Sequence, residues 1–356
     1  MLKVIIRVDA SLEMGIGHVM RCLSIAEELK KNGNIVEFIC RNHDGNLIED
    51  IISKGFIVRE LEKSSLDQFD NKLSHAKWLG TTQKLDAQES KKILIKSSSD
   101  WLIIDHYGID EDWENEVKKY TNKIIVLDDL ADRKHNCSFL IDQTFARKAD
   151  SYRQLVPPYC ELLLGSNYAL LRPEFNYWRE FSLQRRAFVN LKNILITMGG
   201  NDLRNYSVKI IEKLNDCSLS NETKVIVIMG SHSQHIDDVL TIAKTASYNV
   251  EVKINVTNMA EIMANADLAI GASGSSTWER CCLGLPSIQI SVAKNQEISS
   301  NVLASKNIIK LIKSIDELPN LIDTFESWHH DFSRASLKIC DGLGTTRVIN
   351  KILGSD

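Results

Sequence analysis

The chain has 356 residues, with 43 basic and 47 acidic side chains, a formal net charge of −4 and 44% hydrophobic residues. That length allows two domains, and a mildly acidic balance weighs against a nucleic-acid partner while leaving room for a small anionic ligand held by amides and helix ends. No apolar run reaches the length of a membrane span, no secretory leader precedes the first strand, and the eight cysteines show no paired spacing, so the expectation is a cytoplasmic protein with reduced thiols and no membrane insertion.

In chain order, KVIIRV reads as the first strand, and IVEFIC, DWLIID, KIIVLD and SFLID follow. Helical patterns separate them, among them HVMRCLSIAEELKKNG, which ends on a glycine stop, and DEDWENEVKKY, which opens with acidic residues. Near-continuous β-branched runs that do not alternate predict parallel strands covered on both faces. Residues 172–192, RPEFNYWREFSLQRRAFVNLK, are charged, aromatic and strand-poor, and read as a connecting helix or linker. A second series runs through NILITMGG, KVIVIM, VEVKI, LAIGAS and SIQISV, and helical segments including DELPNLIDTF and TTRVINKILG close the chain. The expected fold is α/β, two Rossmann-like doubly wound domains facing a cleft. The N-terminal one spans 1–171, the linker 172–192, and the C-terminal one 193–356 with the closing helices, a return of the last helix across the first domain being left open.

Open α/β sheets bind ligands at the carboxyl ends of their strands, so the loops there are where chemistry is expected. After the first strand, Gly15, Ile16 and Gly17 open the backbone, and His18 stands where a helix begins. The positive helix end favours anions and disfavours an imidazolium, so His18 is expected neutral and able to accept a proton; the alternative is a histidine that only caps the helix. Asp105, His106 and Tyr107 arrive together after DWLII and are expected to point into the cleft; alternatively Asp105 caps a turn and Tyr107 only packs. A metal site with Asp128 and Asp129 matches no usual ligand spacing, so neither metal nor cofactor is expected.

In the second half, Gly199 and Gly200 follow the first strand. Ser273, Gly274, Ser275, Ser276 and Thr277 form a small, hydroxyl-rich turn leading into a helix, a second phosphate cradle. Glu279 lies where a carboxylate can accept both hydroxyls of a ribose diol; the alternative is an ordinary Ser-capped helix with an acidic first turn. SVAKNQE adds Asn295 and Gln296 as neutral hydrogen-bonding groups and Lys294 as a charge.

Taken together, RVDASLEMGIGHVMRCL, IIDHYG, MGGND, NMAEIMANADLAIGASGSSTWERCCLGLP and KNQE resemble the UDP-sugar hydrolases of pseudaminic acid biosynthesis, which act on UDP-2,4-diacetamido-2,4,6-trideoxy-β-L-altropyranose. That family is similar to the glycosyltransferase B fold, including the enzyme that adds N-acetylglucosamine to lipid I. The resemblance runs to about Asn307, and the segment after Lys313 carries no matching motif. It implies that His18 is the base activating water, that Tyr107 and Asn295 are catalytic residues of the same pocket, expected to orient the sugar or the water, that Glu279 binds the ribose, and that Ser273 to Thr277 cradle the diphosphate. Gly15, Ile16, Gly17, Asp105, His106, Gly199, Gly200 and Gln296 are expected to complete the contacts to a UDP-sugar. Water would attack opposite the leaving group with inversion, a positioned base being worth about 10²–10⁴-fold, while amides and the helix end take up charge on UDP. A glycosyltransferase, a hydrolysing 2-epimerase and a non-catalytic binder are the alternatives.

Overall fold

Val, Ile and Leu runs that gain nothing from facing water become strands buried on both sides, and this organises each half of the chain. The computed structural model describes residues 1–63, 72–187, 191–231 and 233–354. They divide into two units, Met1–Leu170 with Gly344–Asp356, and Leu171–Leu343.

Among the described residues, the first unit carries β1 (Lys3–Val8), α1 (Gly17–Lys31), β2 (Ile35–Arg41), α2 (Ile48–Ser53), β3 (Ile57–Leu61), α3 (Gln83–Ser97), β4 (Ser99–Asp105), α4 (Glu111–Val117), β5 (Thr121–Leu127), β6 (Phe139–Asp142) and β7 (Glu161–Leu164). The strands pair in parallel in the order β3-β2-β1-β4-β5-β6-β7. Val4, Ile6 and Val8 of β1 enter a core with Cys22, Ile25, Ala26 and Leu29 of α1, whereas Ile5 joins Leu102, Ile104 and Trp113 on the opposite face. Lys30 and Lys31 close the last turn of α1, and Gly33, with φ at 76°, stops it. Asp110 caps α4 through the Asp112 amide, as its acidic opening suggests. Strand order reverses between β1 and β4, and Val8 pairs with Asp105, so the loops leaving these strands emerge side by side at a switch point.

The second unit repeats the plan with α5 (Pro173–Arg185), β8 (Asn193–Thr197), α6 (Tyr206–Leu214), β9 (Lys224–Met229), α7 (Ile236–Thr245), β10 (Asn249–Ile254), α8 (Met259–Asn265), β11 (Leu268–Ala272), α9 (Ser276–Cys282), β12 (Ser287–Ile290), α10 (Lys294–Ser305), β13 (Lys310–Ile312), α11 (Leu318–Asp323) and α12 (Phe325–Leu337). Its parallel sheet has the order β10-β9-β8-β11-β12-β13, with the switch point between β8 and β11.

Three departures from the sequence reading have physical causes. The stretch 172–192 is no free link: Pro173 starts α5, Phe175 is fully buried, Ser182 Oγ donates to Leu283 O at 2.7 Å, and Arg179 donates to the carbonyls of Leu337 and Cys340, all within the second unit. The last helix, α13 (Gly344–Leu353), leaves the second unit and places Val348, Ile349 and Ile352 in the α1 side of the first core. Gly344 makes that approach possible, since a Cβ there would stand 2.3 Å from Ala169 O. Strands β3, β7 and β13 escaped the pattern because they are short or edge strands with half-exposed, partly polar sequences.

Candidate active site

The loop after β1 turns tightly: Gly15 N donates to Ser11 O at 2.8 Å and Met14 N to Ser11 Oγ at 3.0 Å. Gly15 has φ at 77°, and a Cβ on it would meet nothing within 4 Å, so its glycine serves the left-handed backbone and not a close approach. The turn delivers His18 to the first turn of α1, where Ile16 precedes without a side-chain cap. His18 does not cap the helix. Its Nδ1 lies 2.6 Å from Asp105 Oδ1, at the end of the neighbouring strand β4.

Asp105 is wholly buried. Burial pushes its carboxyl up, but Arg21, which donates through Nε at 2.6 Å and Nη2 at 2.7 Å, and His18 outweigh that and hold it far below the ordinary carboxylate range. An ionised carboxylate only accepts, so in its neutral form the His18 ring carries the proton on Nδ1 and has its lone pair on Nε2. Arg21, one helical turn after His18, also donates to Asp129, and Asp129 accepts the Tyr107 hydroxyl at 2.9 Å. One guanidinium therefore ties the loops after β1, β4 and β5 together.

Around His18 stand three more rings. Tyr107 meets it edge-on at 4.6 Å between centroids, Trp78 stacks on Tyr107 at 5.9 Å, and His75 lies 4.4 Å from Trp78 and 5.5 Å from Tyr107. Trp78 and His75 are only half-buried, so this aromatic wall reaches solvent beside the imidazole. The sequence reading missed both. They sit in and beside a one-turn 3-10 segment, Ala76–Leu79, with no periodicity to mark it; the one usable signal was a tryptophan two residues before a turn glycine, Gly80, with φ at 69°.

Some expected contacts change place. Asp105 stands behind His18, not in a ligand-facing position. His106 is also wholly buried: its Nδ1 accepts the Gly108 amide at 2.9 Å, which leaves the proton on Nε2, aimed at Asp9 Oδ2 at 3.5 Å. Burial pushes His106 down to about 3. The Tyr107 hydroxyl, pushed up by burial, is held as a donor to Asp129 and so offers its ring, not its oxygen, beside His18. Asp128 faces Arg133 at 2.8 Å and the Tyr152 hydroxyl at 2.9 Å, so it points to a different partner set from Asp129 and His106.

In the second unit, Gly199, with φ at 85°, and Gly200 follow β8, and Asp202 caps α6 through the amides of Tyr206 and Ser207, both at 2.8 Å. Thr197 pairs with Gly271, which sets this turn beside the one after β11. There Gly274 and Ser275 are exposed and Ser276 is half-buried, but Thr277 is buried and its hydroxyl donates to Gln289 Oε1 at 2.9 Å. Thr277 thus supports the turn from beneath instead of lining it. Glu279 is half-buried and its carboxyl accepts no hydrogen bond among the described residues; burial pushes its pKa up against the pull of Arg172 and Arg280. Gln296 accepts the Val292 amide at 3.0 Å, and its Nε2 is 3.7 Å from where a Cβ of Gly274 would be. Asn295 falls in the first turn of α10, and its side chain lies outside the described residues. The structure so gathers His18 with Tyr107 in one unit, and Gly199, Gly200, Ser273 to Ser276, Glu279 and Gln296 in the other.

Residues 193–320 match the glycosyltransferase family 28 C-terminal domain. The chain is 30% identical to the UDP-2,4-diacetamido-2,4,6-trideoxy-beta-L-altropyranose hydrolase of Campylobacter jejuni, over 86% of this chain and 97% of that protein. It is 26% identical to the spore coat polysaccharide biosynthesis protein SpsG of Bacillus subtilis, over 84% of this chain and 80% of that one. An uncharacterized protein of Methanocaldococcus jannaschii is 29% identical over 80% of this chain, which spans only 54% of that relative. Among solved structures, MurG of Acinetobacter baumannii superposes with a TM-score of 0.70 at 13% identity, covering 99% of this chain and all of that one. The UDP-GlcNAc 2-epimerase of Neisseria meningitidis, bound to UDP-GlcNAc, superposes with 0.62 at 12% identity over 99% of this chain and all of that one. These two likenesses establish the fold, that of the glycosyltransferase B type.

Proposed function

The chain belongs to the family of the UDP-2,4-diacetamido-2,4,6-trideoxy-β-L-altropyranose hydrolases, and from that premise we propose that it hydrolyses this nucleotide sugar at the anomeric carbon, releasing UDP and 2,4-diacetamido-2,4,6-trideoxy-L-altrose with inversion. The observation that carries the reading is the His18–Asp105 pair, which leaves one basic nitrogen free beside an aromatic wall. In this reading His18 Nε2 takes a proton from water as the water oxygen bonds to the anomeric carbon. The bond from that carbon to the diphosphate oxygen breaks, and its electron pair leaves with UDP. Asp105 stabilises the imidazolium that forms, and Arg21 keeps Asp105 ionised and in place. The rings of Tyr107 and Trp78 exclude water from one side of His18 and offer a surface to a sugar rich in methyl groups. Glu279, whose carboxyl accepts no hydrogen bond among the described residues, is assigned to the ribose hydroxyls, and the Ser273–Ser276 turn with Gly199 and Gly200 to the diphosphate.

The test is proton NMR of the protein with the diacetamido trideoxy UDP-sugar. UDP should appear together with the free sugar of inverted anomeric configuration. His18→Phe should abolish this turnover, a loss of at least about 10²-fold, with UDP affinity by calorimetry nearly unchanged. Turnover surviving in the variant removes the histidine from the mechanism. An intact nucleotide sugar beside a protein that binds UDP transfers the reading to an acceptor other than water.

A further inference from the structure

Beneath the turn after β11, the side chain of Arg280 lies wholly inside the second unit. Its Nη2 donates to Ala272 O at 2.7 Å and to Thr277 Oγ1 at 3.3 Å, while Nε and Nη1 have no hydrogen-bond partner among the described residues. Among the described residues no carboxylate forms an ion pair with it; the acidic groups acting on it are its two chain neighbours, the Cys281 thiol and the Glu279 carboxyl. The contrast within the chain is sharp. Arg7, Arg21, Arg41 and Arg133 in the first unit each face carboxylates. Arg186, buried in the second, donates to Met263 O and Ala266 O at the end of α8, where the helix dipole welcomes a cation. Arg280 instead reaches back under the start of α9, where the dipole repels it.

A buried charge without a counter-charge is strongly unfavourable, yet the fold makes room for this one. A Cβ at Gly271 would stand 2.6 Å from Arg280 Nη1 and 2.4 Å from Thr197 O, so glycine is what lets the guanidinium lie against β11. In the same turn Ser273 Oγ is buried and also without a partner among the described residues. The turn therefore holds one unpaired cation and an unsatisfied hydroxyl, the complement of an anion.

We infer that Arg280 is a positioning residue whose unpaired charge is the counterpart of the diphosphate of a nucleoside diphosphate held at the Ser273–Ser276 turn. It acts through the Ala272 carbonyl and the Thr277 hydroxyl, and its field crosses a medium that screens poorly. This rests on the reading of the second unit as the nucleotide-binding one.

The experiment is calorimetric titration of the full chain with UDP and, separately, uridine, for wild type, Arg280→Met and Arg280→Lys. Arg280→Met should weaken UDP by about 10- to 100-fold and leave uridine unchanged, and Arg280→Lys should restore most of the loss. A structural clamp alone would lower both ligands equally, so an equal drop in a folded Arg280→Met variant overturns the inference. A second measurement needs no variant. The preference of wild type for UDP over uridine should persist from low salt to 0.5 M KCl, because a buried charge is little screened. A preference that collapses with salt assigns the attraction to surface lysines and overturns the inference. Wild type that binds neither ligand overturns the nucleotide reading of the unit itself.

Discussion

Two histidines on adjacent loops acquire opposite roles from their partners. His18 has its Nδ1 against an ionised carboxylate and its other nitrogen free; His106 has its Nδ1 capped by an amide proton and its Nε2 shut inside the unit. Asp105→Asn keeps the shape behind His18 but removes the charge, offers a donor where Nδ1–H needs an acceptor, and deprives Arg21 of its principal counter-charge. In the proposed reaction kcat should fall by about 10²–10⁴-fold, with KM changed far less. A variant whose kcat stays within a few-fold of wild type would show that Asp105 only packs. His106 makes a prediction about stability. Its pKa falls from 6.5 in the unfolded chain to about 3 in the fold, so its contribution is complete above pH 6.5. As pH drops from there toward 3, the unfolded chain takes up a proton that the folded one refuses, and stability declines by up to about 1.4 kcal/mol per pH unit. Urea unfolding of wild type and His106→Asn at pH 7, 6 and 5 should show a shallower decline in the variant; parallel curves would sink this assignment.

The last helix is where an element answers to a partner far away in sequence. In TTRVINKILG, Val348, Ile349 and Ile352 form one apolar stripe, and any sheet face could accept it. The structure places it against α1, across the helix that carries His18. Three side chains of this kind contribute roughly 1.5–3 kcal/mol each by burial. Ending the chain at Leu343 should therefore destabilise the first unit by several kcal/mol and spare the second. Hydrogen exchange should show lost protection in α1 and β1 with α6 and β8 unchanged; loss confined to the second unit would contradict the assignment. The short segment of His75 and Trp78 is the opposite case, an element whose importance comes from side chains and not from length. Nothing in its spacing reveals that it meets Tyr107, because that contact is made by a turn lying over the end of another strand.

At the scale of the whole molecule, two units each have a core and a sheet of their own. Calorimetric unfolding should resolve into two transitions. UDP at 100 times its dissociation constant should stabilise the one belonging to the second unit by about 2.7 kcal/mol, and His18→Phe should leave that shift intact. A single transition, or a shift lost with His18, would refute the division of labour. By itself the sequence determined the strand and helix series, the two-unit α/β plan and the glycine-rich loops with His18 and Glu279, because burial on both faces of a parallel sheet and the turn chemistry of glycine are written in local patterns. Only the tertiary structure decided that Asp105 stands behind His18, that Arg21 joins three loops, that α5 is part of a unit, that α13 returns to the first core and that the buried Arg280 forms no ion pair among the described residues. Each of these depends on which strands become neighbours. Strand order is set by packing across the whole sheet, and no local pattern contains it.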